Sequence, residues 1–161
     1  TMFIYGIVPG ALQTSNATPN TANDCLFVAA GAAGRGTGLV GLYVHGKGAG
    51  LTAISGITFR VEKWFTTASS LGTAITPAPR DGTVQASKCT AAYAVATVTS
   101  GTGGPTLMLS IGCGAAGPGG WVAPNPDAAH FVEAGSADSL DVFNASGTAS
   151  LNFEQSIEVV E

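Results

Sequence analysis

The stretch Leu151-Asn-Phe153-Glu-Gln155-Ser-Ile157-Glu-Val159 alternates apolar and polar side chains over most of its length. Because successive side chains of a β-strand point to opposite faces, its apolar side chains fall on one face and its polar side chains on the other. The apolar set is Leu151, Phe153, Ile157 and Val159, and the polar set is Asn152, Glu154, Ser156 and Glu158. This pattern predicts a strand of about ten residues with one buried face.

A second alternating stretch, Ile57-Thr-Phe59-Arg-Val61-Glu62, lies nearer the middle of the chain. We expect its apolar side chains Ile57, Phe59 and Val61 to point inward. Its polar side chains, Thr58, Arg60 and Glu62, are expected to face water.

Further apolar segments bounded by turn residues bring the total to about nine short strands, whereas helical periodicity is nearly absent. These segments cover residues 2–8, 24–30, 39–45, 89–99, 106–112, 130–134 and 139–144. Two longer connections, a surface loop at 66–87 and a stretch at 112–127, suit strands that cross between sheets. Residues 1–161 are therefore predicted to form an all-β, single-domain antiparallel β-sandwich of jelly-roll type with Greek-key connections.

The first 23 residues begin with the uncharged stretch MFIYGIVPG and continue into a polar, Pro-containing segment. Termini fray unless they are tied down. Residues 1–23 are therefore read as a possible N-terminal arm, which docks either on its own sheet or on a neighbouring subunit.

Charge is scarce: the 161 residues include only 6 basic and 10 acidic side chains, a net charge of −4. A folded chain of this mass exposes roughly 7,400 Å², or about one charge per 460 Å². So few basic residues cannot neutralise a nucleic-acid backbone, and the high hydrophobic content argues against disorder. Subunit contacts that cover part of the surface would explain the low charge.

Targeting signals are not evident. Residues 89–126 carry no charge, but glycines and prolines divide them into pieces too short for a spanning helix. The first charged residue is Asp24, so no positively charged segment precedes the apolar start, and synthesis in the cytoplasm is expected.

Cys25, Cys89 and Cys113 are an odd number of cysteines at wide spacing, without a CxxC motif. They are interpreted as buried thiols that behave as small apolar side chains. We predict no disulfide, no metal and no cofactor.

Two glycine patterns match the dinucleotide fingerprint, one beginning at Gly36 and one at Gly112, and Gly41 begins a partial P-loop. None precedes a helix, and Gly48 replaces the Ser or Thr that a P-loop needs for Mg²⁺. In a chain with 23 glycines these matches are interpreted as chance.

Chemistry-bearing residues are few. A hydrolase would need His45 or His130 beside acidic partners in a polar cleft, and neither lies in a GxSxG or HExxH motif. A lectin-like site would combine Trp121 with Asn125 and Asp127, although Asn125-Pro-Asp127 is equally a turn signal. A carbohydrate-binding module of a phage tail or surface appendage is therefore kept as the alternative function.

Three stretches resemble small virion-associated structural proteins of tailed bacteriophages, a group that includes capsid decoration or cement proteins. They are GLYVHGKGAGLTAISGITFRVEKWFTTASS (41–70), TAITPAPRDG (73–82) and GPGGWVAPNPDAAHFVEAGSADSLDVFNASGTASLNFEQSIEV (117–159). The resemblance is one of general character and carries no catalytic or ligand motif.

The resemblance implies a non-enzymatic protein of the virion, assembled in the host cytoplasm. Its partners would be the major capsid protein and copies of itself, with a trimer favoured. Candidate interface residues are aromatic side chains of the N-terminal arm and other aromatic side chains expected to be exposed, namely Phe3, Tyr5, Trp64 and Trp121.

Overall fold

Within the residues that it describes, the computed structural model contains thirteen strands and one 3-10 turn, and this part is almost entirely β. It describes residues 2–9, 13–14, 24–29, 35–46, 56–67, 73–83, 85–93, 101–114, 118–133, 138–144 and 152–161. The strands are β1 (Ile4–Ile7), β2 (Gln13–Thr14), β3 (Asp24–Ala29), β4 (Thr37–Gly46), β5 (Gly56–Trp64), β6 (Thr73–Ile75), β7 (Ala78–Pro79), β8 (Thr90–Tyr93), β9 (Thr106–Gly114), β10 (Gly119–Val122), β11 (His130–Val132), β12 (Ser139–Asn144) and β13 (Asn152–Val160). The 3-10 turn spans Pro126–Ala128.

The strands form two sheets in which the described pairs are antiparallel. Sheet A has the order β10-β4-β13-β1-β7, with β11 also pairing β4 and β2 also pairing β13. Sheet B has the order β6-β8-β3-β12-β5-β9. The pairings are nested along the chain, because β1 pairs β13, β3 pairs β12, β4 pairs β10 and β5 pairs β9.

The core lies between the two sheets and draws apolar side chains from both. Phe153 on sheet A meets Phe59 on sheet B edge to face, with ring centroids 4.9 Å apart. Around this pair, Tyr5, Leu42 and Val61 are fully buried. This packing confirms an all-β fold with two antiparallel sheets.

The alternation predicted for the last strand is confirmed over the described part of β13. Phe153, Ile157 and Val159 are buried, and the predicted outward side chains Glu154, Ser156 and Glu158 are half-buried. Gln155 also points inward and is only 4% exposed, so the inner face is not wholly apolar. The predicted side-chain directions of Leu151 and Asn152 lie outside the described residues.

The prediction for the middle strand is confirmed at Phe59 and Val61 and is wrong at Glu62. Glu62 is 7% exposed rather than facing water. Its backbone neighbour on β12 is Asp141, which is fully buried and accepts a hydrogen bond from Ser139 Oγ at 2.9 Å. The outer face of sheet B is therefore covered at this point. The predicted direction of the Ile57 side chain lies outside the described part.

The two predicted connections contain strands that the sequence analysis did not foresee. The loop at 66–87 holds β6 and β7, both short edge strands, and the stretch at 112–127 holds β10. Pro79 pairs with Tyr5 at the edge of sheet A, a position that a proline tolerates. Gly119 in β10 lies so close to β9 that an added Cβ would be 2.2 Å from the Gly112 carbonyl oxygen.

The start of the chain docks on its own sheet. Residues 4–7 pair with β13 on one side, and Tyr5 and Gly6 pair with β7 on the other. Phe3 exchanges backbone hydrogen bonds with Glu161 at 3.0 Å. For these residues, the arm therefore docks on its own sheet rather than on a neighbouring subunit. Its polar continuation lies mostly outside the described residues.

The Cys89 and Cys113 thiols are free and buried, and the Cys25 side chain lies outside the described residues. Burial raises the pKa of Cys89 to about 12. The Ser87 hydroxyl contacts Cys89 Sγ at 3.1 Å. In the part of the chain that the structure describes, no helix is long and apolar enough to cross a membrane.

Candidate interaction surface

The outer face of sheet A carries a groove lined mainly by aliphatic side chains, here called the aliphatic groove. Its lining residues are Met2, Ile4, Val40, Val122, Ala123, Pro124, Asn125, Glu158 and Val160. Met2, Ile4 and Val122 are 53%, 47% and 58% exposed, respectively. Single exposed apolar residues are ordinary, but a contiguous group marks a candidate interaction site.

The strand alternation explains why this groove is apolar. In β1, Tyr5 and Ile7 point into the core, so Ile4 points outward, and its backbone neighbour on β13 is Val160. On the other side of β13, the pairing with β4 shifts between Glu158 and Val159 and leaves Val40 as an extra residue. Such a bulge re-aims side chains locally. Ala123 N donates to Val40 O at 2.8 Å and fixes the end of β10 beside it.

A charged pair borders the aliphatic groove. Arg80 Nη2 lies 2.7 Å from Glu158 Oε1. Glu158 is flanked in the sheet by Gly6 on β1 and Gly41 on β4. A Cβ at Gly6 would come within 3.0 Å of the Arg80 guanidinium, and one at Gly41 within 3.2 Å of the Tyr43 ring. The two glycines therefore allow Arg80 and Tyr43 to lie flat against the sheet.

Beyond Tyr43, a second depression on the same face contains the one close acidic contact described for His45. His45 Nε2 lies 3.2 Å from Glu154 Oε2, and the two side chains are 51% and 39% exposed. Val8, Pro9 and Ser156 line the same depression. The pair lies on adjacent strands at an open surface, where cross-strand ion pairs are common and weak. Among the described residues, Glu154 is the acidic side chain that the structure places beside His45.

His130 has a different environment. Its ring stacks on Trp121, with centroids 5.1 Å apart and planes 23° apart. Partial burial lowers the pKa of His130 below its ordinary value, which favours the neutral imidazole. The stack covers one face of the Trp121 ring, which also packs against the core. Asn125 Oδ1 accepts a hydrogen bond from Ala128 N at 3.0 Å and so caps the 3-10 turn.

The four candidate interface residues are not brought together on one surface. The prediction that Tyr5 contributes to an interface is wrong, because its side chain is fully buried. The Tyr5 hydroxyl donates a hydrogen bond to the Gln85 carbonyl oxygen at 3.0 Å. Phe3 and Trp121 are partly buried and pack against the core. Trp64 is half-buried beneath Gly101, where an added Cβ would lie 2.7 Å from Trp64 Cβ.

The sequence analysis therefore missed the aliphatic groove because it selected large aromatic side chains. A usable signal was present in β1: if Tyr5 and Ile7 point inward, alternation places Ile4 on the outer face. No comparable signal marks Val122, since Gly119 and Gly120 resemble a turn rather than a strand.

Within the described ranges, no three His, Cys, Asp or Glu side chains lie close enough together to hold a metal ion. The exposed aromatic residue Phe65 lies elsewhere, with Lys63 Nζ 5.0 Å from its ring centroid.

No protein-family model and no curated protein matches this chain. Two solved structures of infectious bursal disease virus align with 99% of it. A chain of the T13 viral particle is 8% identical with a TM-score of 0.22, and a chain of the Gx strain is 11% identical with a TM-score of 0.21. The present chain spans 39% and 42% of their lengths. Similarity at this level carries no argument about function.

Proposed function

We propose that this chain is a structural virion protein that decorates and stabilises the head of a tailed bacteriophage through subunit contacts. The observation that carries the proposal is the aliphatic groove on sheet A. Met2, Ile4 and Val122 line it and are about half exposed, in a chain with only 16 charged residues among 161 (6 basic and 10 acidic). Such a surface is suited to permanent contact with another protein.

The nested strand pairing supports the same proposal. We infer a jelly roll, in which a folded ribbon of paired strands is rolled into two sheets, from the pairs β1–β13, β3–β12, β4–β10 and β5–β9. Jelly rolls occur in viral capsid proteins but also in lectins and cupins. The fold alone therefore does not identify the function, which has to be inferred from the surface.

The surface chemistry favours adhesion over catalysis. Apolar contacts keep their strength as ionic strength rises, whereas exposed ion pairs are screened. The groove meets only one described ion pair, Arg80 with Glu158, at its margin. A shell component that must hold against internal pressure in varied salt benefits from this arrangement.

The proposal is tested by adding the purified protein to heads of a phage that carries this gene, prepared without the protein. We expect it to cosediment with the heads and to raise the temperature at which they release DNA. Ile4→Lys should lower binding at least ten-fold, because a charge in the groove must be desolvated. Thr58→Lys, at an exposed position on sheet B, is the matched control and should bind normally.

Protein that stays in the supernatant at saturating concentration would refute the head-binding function. Normal binding by a folded Ile4→Lys variant would show that another surface makes the contact. Circular dichroism and a thermal melt of each variant separate loss of binding from loss of fold.

The carbohydrate-binding alternative makes a different prediction. It requires a glycan-array signal that Trp121→Ala abolishes. Because His130 covers one face of the Trp121 ring, we expect no such signal.

A further inference from the structure

Strand β9 forms one edge of sheet B and is unusually long for an edge. It spans nine residues, and β5 is the only described strand that pairs with it. The other described edges are shorter: β6 and β11 have three residues, β10 has four and β7 has two. A long edge presents a row of backbone donors and acceptors to any other extended chain.

Charged residues and prolines, which protect many edges, are missing from β9. Its sequence, Thr-Leu-Met-Leu-Ser-Ile-Gly-Cys-Gly from Thr106 to Gly114, contains no charged residue and no proline. The short edge strand β7, by contrast, contains Pro79 and is followed by Arg80. The one edge-protecting feature described along β9 is a bulge, because the β5–β9 pairing shifts between Val61 and Glu62 and leaves Met108 as an extra residue.

The apolar side chains of β9 are incompletely covered. Leu107 is 54% exposed. Met108, Leu109 and Ile111 pack against the core yet remain only partly buried. On the central strands, the equivalent inward residues Phe59 and Ile157 are almost fully buried. An additional strand beside β9 would cover these side chains as well as the backbone edge.

Among the described residues, no strand pairs with the outer side of Thr106–Ile111, which is six of the nine residues of β9. Gly119 of β10 lies against Gly112, so close that an added Cβ would be 2.2 Å from the Gly112 carbonyl oxygen. Pairing with a further strand is therefore confined to Thr106–Ile111. At the ~3.4 Å rise of an antiparallel strand, this segment offers roughly 20 Å of edge.

We propose that Thr106–Ile111 pairs antiparallel with the same segment of a second copy, so that sheet B continues across two subunits. A strand without charge can lie beside itself without like-charge repulsion, and a strand paired antiparallel with itself forms a two-fold, isologous contact. The contact would use backbone hydrogen bonds and the half-covered apolar side chains together.

This inference rests on the proposed function for the expectation of a homo-oligomer and adds the surface that forms it. The assembly has an even number of copies, so it replaces the trimer that the resemblance to virion proteins favoured. The aliphatic groove lies on sheet A and β9 ends sheet B. Self-association and head binding therefore use different sheets and can be separated by mutation.

The test is the mass of the protein in solution, measured by size-exclusion chromatography with light scattering. The chain has a mass of 15.9 kDa, and we expect twice that value at micromolar concentration, unchanged in 1 M NaCl. Ser110→Lys, on the exposed side of β9, should halve the mass because a lysine on an edge strand opposes pairing with another strand. Thr90→Lys, exposed on β8 near the opposite edge of sheet B, is the matched control and should leave the mass unchanged.

Hydrogen exchange of the unmodified protein gives a second measurement that does not depend on a variant folding. The amides of residues 106–111 should gain protection as protein concentration rises, while those of β13 should not change. A protein that is monomeric at all concentrations would overturn the inference. So would a dimer whose mass is unchanged by Ser110→Lys and whose 106–111 amides stay unprotected. A monomer that binds heads would leave the proposed function intact. A dimer that depends on the β9 edge but binds no heads would support this inference and refute the proposed function.

Discussion

Arg80 and Glu158 meet across the backbone of Gly6, with 2.7 Å between Arg80 Nη2 and Glu158 Oε1. The pair borders the aliphatic groove, and more than half of the Arg80 side chain is exposed. Its geometry is close, but water screens it. It therefore orders the surface more than it stabilises the fold.

A double-mutant cycle with Arg80→Met and Glu158→Gln should give a coupling energy of about 0.5 kcal/mol, as exposed ion pairs do. The coupling should shrink further between 50 mM and 1 M NaCl. Urea unfolding of the four proteins at both salt concentrations measures it. A coupling above about 2 kcal/mol would mean that the pair is effectively buried, for example by a second subunit.

Phe153→Ala should destabilise the protein by about 3–5 kcal/mol, because it removes a fully buried ring and leaves a cavity beside Phe59. Phe65→Ala is the matched control. That ring is about half exposed and contacts Lys63, so its loss should cost under about 1 kcal/mol. Chemical denaturation gives both values, and equal losses would contradict the assignment of Phe153 to the core.

Gly101→Ala should destabilise the protein by about 1–3 kcal/mol through overpacking. The new methyl group would lie 2.2 Å from the Thr67 carbonyl oxygen and 2.7 Å from Trp64 Cβ. That carbonyl accepts the hydrogen bond from Thr102 N, so the bridge between these segments must shift.

Gly82→Ala is the control for this substitution, because an added Cβ there meets nothing within 4 Å. It should be neutral or slightly stabilising, by about 0.5 kcal/mol, since alanine restricts the unfolded chain. The difference between the two melting temperatures measures the effect. If Gly101→Ala is as stable as Gly82→Ala, the 101–104 segment does not pack on Trp64 as described.

The Cys89 thiol should resist alkylation in the folded protein at pH 8 and react fully once the protein unfolds. Burial raises its pKa to about 12, so the reactive thiolate is almost absent in the folded state. The unfolded chain loses this proton near the ordinary pKa of 9.0, whereas the folded chain keeps it. The stability that Cys89 contributes is therefore present below about pH 9 and is lost as the pH rises from 9 to 12.

Peptide mapping after iodoacetamide treatment reads out Cys89 separately from the other two cysteines. The free energy of unfolding of Cys89→Ala should fall less between pH 9 and pH 12 than that of the unmodified protein. Rapid labelling of Cys89 under native conditions would show that the 85–89 segment opens readily.

Local patterns in the sequence are sufficient to predict several strands but not their neighbours. Alternation predicts β13 and β5, because a strand with one buried face must alternate. Glu62 departs from the pattern for a reason that lies far away in sequence: β12 places the buried Asp141 beside it. No window around Glu62 contains that information.

Sequence patterns also fail to predict glycine-rich strands such as β10. Gly119 and Gly120 resemble a turn, yet Gly119 is needed because β10 passes directly over the Gly112 carbonyl. The interaction surface was missed for a related reason. Exposure of Ile4 and Val122 depends on which sheet face is left open, and only the assembled strand order decides that.

Because Ile7 pairs with Ile157, the two strands at the heart of sheet A come from opposite ends of the sequence. This sheet cannot close before β13 has been synthesised, and the loop entropy of joining such distant segments must be overcome first. Folding on the millisecond-to-second scale of high-contact-order β proteins is therefore expected. Until β13 is available, β1 lacks its partner strand, so we expect newly made chains to be most prone to aggregate during that interval.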